Sequence, residues 1–158
     1  MSLPDLSDLY PDQLKVSNLE LKAYGAKPSL VGKVETVFCS DDNSKVKEVL
    51  SRKGDNRILV IDASGIRHES MVGDQIAKMA IQNDWQGIIT NGFIRDVDAI
   101  NDLPFLILAR GSVFKKTTKI GLGKIGVMIS FGGLIIRPND WIYADSNGWG
   151  VSETYLKP

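Results

Sequence analysis

Two charged pairs bracket a hydrophobic unit in this chain: Gly73-Asp74 and Arg95-Asp96, with twenty residues between Asp74 and Arg95. Their residue types suit the handling of a small organic anion. Gly73-Asp74 stands where a helical pattern begins, and the first N–H groups of a helix are unpaired and carry the positive end of its dipole. A carboxylate or phosphate can sit there, and a glycine lets it come close to the backbone. Arg95 can grip a carboxylate through two parallel hydrogen bonds. Asp96 can hold Mg²⁺ or Mn²⁺, which take oxygen ligands and keep several waters. A metal beside an α-keto acid polarises its carbonyl and stabilises an enolate. Plainer readings stand beside these: Asp74 as a helix cap, and Arg95-Asp96 as a surface ion pair, with Asp96 or Asp98 capping the short helix of "VDAIND".

The elements that must position these pairs follow from hydrophobic periodicity. Residues 29–40, "SLVGKVETVFCS", are β-branched and alternating and predict a strand. "DDNSKVKEVLSRKG" predicts a helix capped by Asp41 or Asp42, with Val46, Val49 and Leu50 inward and Gly54 as its stop. "RILVIDAS", residues 57–64, is an almost unbroken apolar run, as in a strand buried on both faces. "GIRHESMV" reads as a loop. A helix then runs from about Gly73 to Asn83 with Ile76, Ala77, Met79 and Ala80 on one face. "WQGIITNG" is the next buried strand, "FIRDVDAINDL" a loop and short helix, and "PFLILARG", residues 104–111, a third apolar run. This alternation predicts βαβ crossovers. In such a unit a helix starting near the end of one strand shares a sheet edge with the end of the next, so the two pairs are able to meet. Ligands favour the carboxyl ends of strands in open α/β sheets, which singles out "DASG", "TNGFIRD" and "ARGS" with Arg110 and Ser112.

The flanking segments differ. "PDLSDLYPDQL" predicts a short helix capped by Asp5 or Ser7 and interrupted by Pro11. The last third is rich in Gly and β-branched residues. It predicts strands joined by tight turns at "FGG", "RPND" and "DSNG", the second a type I turn with Pro138 at its second position. The fold class is α/β, a βαβ part and a β-rich part in a single domain spanning 1–158.

Composition narrows the function classes. Nineteen Lys plus Arg balance nineteen Asp plus Glu, which gives no general electrostatic case for wrapping nucleic acid or lying on an anionic membrane. A chain of 158 residues buries roughly 70% of its unfolded surface and needs no staples. Cys39 is the single cysteine, so it forms no internal disulfide and is expected to pack in the core. No apolar run approaches the ~20 residues that span a bilayer, and the N-terminal residues lack the pattern of a signal peptide. The expected compartment is the cytoplasm.

The stretch "GDQIAKMAIQNDWQGIITNGFIRDVDAI" resembles the family that joins the regulator of ribonuclease E activity A (RraA) with class II 4-hydroxy-4-methyl-2-oxoglutarate aldolases. "KVETVFCSDDN", "RILVIDASG" and "FGGLIIRPNDWIYADSNG" fit the same family in order, so the resemblance covers nearly the whole chain. It implies a swivelling β/β/α domain and a ring-shaped homotrimer, in some members paired into a hexamer, with sites near subunit interfaces. It also implies roles: Gly73, Asp74, Gln75 and Ile76 holding the keto-acid end of the substrate with backbone amides, Arg95 binding its carboxylate, Asp96 carrying Mg²⁺ or Mn²⁺ largely through waters, and Asp74 orienting or deprotonating a water. The implied reaction is retro-aldol cleavage of 4-hydroxy-4-methyl-2-oxoglutarate to two pyruvates, with oxaloacetate decarboxylation through the same metal-stabilised pyruvate enolate. Longer aldolases of the family add acidic side chains from a neighbouring subunit; decarboxylation asks less of the site. The alternative role is a regulator that binds and inhibits ribonuclease E without catalysis.

For that alternative, Arg110, Lys115, Lys116, Lys119 and Lys124 offer a basic patch, or else a solvated loop or trimer rim. His68 has no Cys or His companion, which argues against zinc; a place at a pocket rim is open to it. Trp85, Trp141 and Trp149 read as core or interface aromatics. "GLGKIG" lacks the spacing of a phosphate-binding loop. Asp62 reads equally as a turn cap and as a support for the Gly73-Asp74 loop.

Overall fold

The computed structural model of the chain describes residues 1–63 and 68–158. It begins with α1 (Leu3–Leu9), β1 (Lys15–Val16), β2 (Lys22–Tyr24), β3 (Leu30–Phe38) and α2 (Ser44–Leu50). The middle alternates: β4 (Ile58–Asp62), β5 (Ser70–Val72), α3 (Asp74–Gln82), β6 (Gly87–Thr90), β7 (Phe93–Ile94), α4 (Val97–Asn101), β8 (Leu106–Ala109) and β9 (Gly111–Ser112). The last third is β10 (Lys124–Ile125), β11 (Ile129–Phe131), β12 (Leu134–Ile136), β13 (Trp141–Asp145) and β14 (Gly148–Ser152).

The main sheet is mixed, in the order β1-β14-β13-β3-β4-β6-β8-β2, with β10 also on β3. Its centre, β3-β4-β6-β8, is parallel and its flanks are antiparallel. The apolar runs are buried on both faces, as their continuity predicts. Leu59, Ile61, Ile88 and Ile107 face α2, α3 and α4, while Ile58, Val60, Ile89 and Leu108 face the β11–β12 hairpin. Hairpin, sheet and helices thus form the layers of a β/β/α arrangement. Cys39 is buried in the helix-side core, as expected, with its sulfur 3.6 Å from that of Met71. Trp85 and Trp149 also lie in the core, and Trp141 packs edge-on against Tyr155. No helix among the described residues is long and apolar enough to cross a membrane.

Several local expectations are corrected. Ser2, not Asp5 or Ser7, caps α1, and Asp5 closes the capping box from the third helical position. Neither Asp41 nor Asp42 is the cap residue of α2; Asn43 occupies that position without a side-chain cap bond. The loop reading of "GIRHESMV" falls in part on residues 64–67, outside the described residues, and its end is β5. The Arg137–Asp140 turn has Pro138 at its second position, but Asn139 takes φ +74°. A positive φ at the third position makes it type II rather than type I. Gly132 and Gly133, at φ +62° and +74°, form the two-residue link between the paired Phe131 and Leu134, a conformation in which both central residues need positive φ.

Candidate functional site

A second, three-stranded parallel sheet, β5-β7-β9, gathers the continuations of β4, β6 and β8. Val72 of β5 pairs with Ile94 of β7, and the Arg95 N–H donates to the Val72 carbonyl at 3.0 Å. Gly73-Asp74 and Arg95-Asp96 are the residues that leave these two adjacent strands, so they emerge side by side. Each exit turns directly into a helix, α3 after β5 and α4 after β7. The twenty-residue spacing is one helix plus one returning strand, ending on the small sheet rather than the large one.

Gly73 is the N-cap of α3 and has no side chain with which to cap it. Asp96 supplies the missing acceptor: its Oδ2 receives the Asp74 N–H at 3.1 Å. Asp96 stands at the N-cap of α4 in the left-handed conformation, φ +59°, and does not cap its own helix. The capping expectation for Asp96 is therefore right in position and wrong in partner, and Asp98 lies inside the first turn of α4. Nor is Asp74 a cap. It is the first residue of α3, and its carboxylate accepts from Lys78 at 3.2 Å. That bond holds the Asp74 carboxyl below the usual carboxylate range, against the opposing effect of partial burial. Arg95 Nε is 3.8 Å from Asp96 Oδ2, a loose pair that leaves the guanidinium available to a ligand.

Gly73, Asp74, Gln75, Ile76, Arg95 and Asp96 all line one pocket of about 320 Å³. Gln75 and Ile76 belong to the first turn of α3, whose amides have no carbonyl partner within the helix. Clefts of about 530 and 720 Å³ lie along the β1–β14 edge. The smaller pocket is the better candidate, because it sits at the carboxyl ends of parallel strands and joins helix amides to a guanidinium and a carboxylate.

The rest of the lining does not follow from the sequence. Asn43, Lys47, Ser70, Lys116 and Lys119 belong to it. The loop that carries Lys116 and Lys119 is fastened to the start of α2. The Asp42 carboxylate accepts the Ser44 N–H and hydroxyl on Oδ1, and the N–H groups of Ile120 and Leu122 on Oδ2. Burial would raise the Asp42 pKa, but these bonds prevail and bring it down to about 2. Thr117 and Asn43, both buried, exchange hydrogen bonds of 2.8 and 3.2 Å. Lys119 is shifted below the usual lysine range, first by burial and then by the charges of Lys116, Lys47 and Arg95. The basic run thus divides. Lys115 pairs with Glu69, Arg110 lies 5.4 Å over the Phe93 ring, Lys124 is in β10, and Lys116 and Lys119 face the pocket. His68 packs on the same Phe93 ring at 5.3 Å, and Asp62 accepts from Asn91 at 2.9 Å.

The donor set limits what cation could sit here. Among the described residues no group of three His, Cys, Asp or Glu side chains converges, which rules out a closed zinc-type cage built from them. Asp96 is 39% exposed at the pocket wall and its Oδ2 is oriented by a backbone amide. One oriented carboxylate, with the remaining positions left to water and substrate, fits Mg²⁺ or Mn²⁺.

Comparison with known proteins gives one consistent lineage. The family RraA-like (Aldolase/RraA) matches residues 3–151. A protein of Vibrio cholerae named "Putative 4-hydroxy-4-methyl-2-oxoglutarate aldolase" is 42% identical over 153 residues, covering 97% of this chain and 95% of its own. The crystal structure named for an S-adenosylmethionine: 2-dimethylmenaquinone methyltransferase from Geobacillus kaustophilus superposes with TM-score 0.96 at 34% identity, over 99% of this chain and 97% of that one. The RNA-processing inhibitor RraA from Thermus thermophilis superposes with TM-score 0.94 at 27% identity, over 99% and 95%.

Proposed function

The chain belongs to the RraA-like family, and from that premise we propose that it is a divalent-metal-dependent lyase acting on α-keto acids. The reactions are aldol cleavage of 4-hydroxy-4-methyl-2-oxoglutarate and decarboxylation of oxaloacetate. One observation carries the reading: the Val72–Ile94 pairing sets the first turn of α3, Arg95 and Asp96 around one pocket. In this reading the Arg95 guanidinium and the α3 amides bind the carboxylate of the keto acid, a match of two cationic elements to one anion. Asp96 would hold the cation, whose Lewis acidity would draw electron density toward the keto oxygen. Asp74 is a carboxylate held by Lys78 below the usual carboxylate range, so it is ionised at neutral pH. It therefore starts as a proton acceptor, taking or relaying through water the proton that leaves the C4 hydroxyl as the C3–C4 bond breaks. Ile76 and Met79 supply the apolar part of the wall.

A methyl-transfer reading, suggested by the name of the Geobacillus kaustophilus protein, fits the pocket poorly. Its walls carry Lys47, Arg95, Lys116 and Lys119, and like charge opposes a sulfonium cofactor. A role in binding a ribonuclease would rest on the surface at Phe114, which is 94% exposed beside Lys115 and adjoins Arg95 and Asp96. A homotrimer belongs to the same proposal, with exposed Phe114, Met128 and Ile135 as apolar surface for it to cover; sedimentation velocity tests it.

The deciding experiment is pyruvate release from each substrate with Mg²⁺ or Mn²⁺, and again with excess EDTA. Chelator-sensitive release above the metal-only background supports the lyase reading. Release from oxaloacetate alone limits it to decarboxylation. Release from neither overturns it in favour of the binding role.

A further inference from the structure

Most lysines near the helix face of the fold are already paired: Lys45 with Glu48, Lys53 with Asp55, Lys78 with Asp74 and Lys115 with Glu69. Lys47, Lys116 and Lys119 are not. Among the described residues, none of the three has a carboxylate within ion-pairing distance, and all three line the same pocket as Arg95. Cations gathered in one pocket repel one another, and at Lys119 the charge of Asp42 offsets only part of that repulsion, so an arrangement that keeps them together must be imposed by the fold.

The fold imposes it at some cost. Asp42, 1% exposed, fastens residues 120–122 through Oδ2 to the start of α2, which its Oδ1 holds at Ser44. Thr117 and Asn43, 3% and 4% exposed, lock the middle of the same segment. Ser70 of β5 forms a bridge with Lys116, and the Ser70 N–H donates to the Lys115 carbonyl at 2.8 Å. Buried polar groups tied into one network give a surface a defined shape. Here that shape directs a cationic wall at the pocket that already holds Arg95.

We propose that Lys116 and Lys119, assisted by Lys47, form a second anion subsite that recognises the distal carboxylate of a keto dicarboxylic acid. The inference rests on the keto-acid reading of the pocket and goes further, in naming the residues that select dicarboxylates over monocarboxylates. Arg95 and the α3 amides take the carboxylate next to the keto group, and the lysine wall takes the other. A compact ammonium is suited to a carboxylate whose position varies, whereas a guanidinium imposes one orientation. The division therefore also predicts tolerance of different chain lengths beyond the keto carbon.

The test is equilibrium binding by calorimetry with Mg²⁺ present, using two unreactive ligands of equal chain length: 2-oxoglutarate and 2-oxopentanoate. The wild-type protein is expected to favour the dicarboxylate by about tenfold or more, about 1.4 kcal/mol. The double variant Lys116→Gln/Lys119→Gln, at exposed positions, is expected to bring the affinity ratio close to one. A ratio that survives the double substitution, with both affinities falling together, overturns the subsite while leaving the keto-acid pocket standing. A wild-type protein without preference overturns it too. If neither ligand binds and Arg95→Ala changes nothing, the keto-acid reading itself falls, and the subsite with it.

Discussion

Asp96 completes a helix to which it does not belong: its Oδ2 accepts the N–H of Asp74, the first residue of α3, at 3.1 Å across two neighbouring strands. Gly73 makes the contact possible. A Cβ added there would stand 2.7 Å from Asp96 Oδ2 and 3.4 Å from Arg95 Nε. The Gly73 backbone, at φ −114°, is open to any residue, so Gly73→Ala acts by displacing the carboxylate rather than by straining the chain. The expected result is a loss of about 10²-fold in kcat/KM, weaker Mn²⁺ binding by calorimetry, and an unfolding midpoint close to wild type. Unchanged metal affinity would show that the Asp96 position is not critical.

Arg95→Ala is expected to remove turnover by about 10²–10³-fold while the far-ultraviolet spectrum is retained. Its backbone N–H bond to Val72 is independent of the side chain, and the side chain is 38% exposed with only a loose ion pair at 3.8 Å. Arg95→Lys keeps the charge but not the planar fork, so it should recover only part of the lost activity. Full recovery by lysine would mean that charge alone suffices. The two variants, compared by initial rates of pyruvate release, separate these contributions.

Much of this arrangement was legible in the sequence because it is local. Gly73-Asp74 and Arg95-Asp96 announce a helix start and a strand exit, and the continuous apolar runs reveal strands buried on two faces. What was not legible is long-range. β5 and β7 are three and two residues long, too short for periodicity, and only their mutual pairing makes them strands. The roles of Asp42 and Asn43 depend on hydrogen bonds to residues more than seventy positions away. Lys116 and Lys119 read as a charge run because nothing in the sequence shows that their loop is tied down against α2. The turn at Pro138 departs from the expected type for a smaller reason: asparagine tolerates positive φ, and the dipeptide does not announce which turn it makes.

Cys39 offers a check on the core. It is fully buried, and burial, with the nearby charges of Asp62, Asp42 and Asp41, pushes its thiol up to about 12. The folded protein should therefore resist a disulfide exchange reagent at pH 8 and react stoichiometrically once urea unfolds it. A folded pKa above the unfolded one means that the stabilisation is complete below about pH 9 and is lost as pH rises toward 12. Rapid labelling of the native protein at pH 8, followed by absorbance of the released thiolate, would contradict the packing.

Asp42 links stability to the shape of the pocket. Its carboxylate accepts four hydrogen bonds, from the Ser44 N–H and hydroxyl and from the Ile120 and Leu122 N–H groups. All four favour the ionised form, and its pKa falls from 3.8 to about 2. A depressed folded pKa contributes stability that is fully present above the unfolded value and is lost as pH falls through the folded one, so the window is pH 4 to 2. The linked contribution at neutral pH is about 2 kcal/mol. Asp42→Asn presents an amide NH₂ to one pair of donors; facing Ser44 it can donate to the hydroxyl but must lose the Ser44 N–H bond, and facing Ile120 and Leu122 it must lose both. Urea denaturation should show a deficit of about 1–3 kcal/mol at pH 7, shrinking as pH falls below 4. The same substitution frees the loop bearing Lys119, and preference for 2-oxoglutarate over 2-oxopentanoate should fall with it. A stability deficit unaccompanied by any change in that preference would show that the loop is held independently of Asp42.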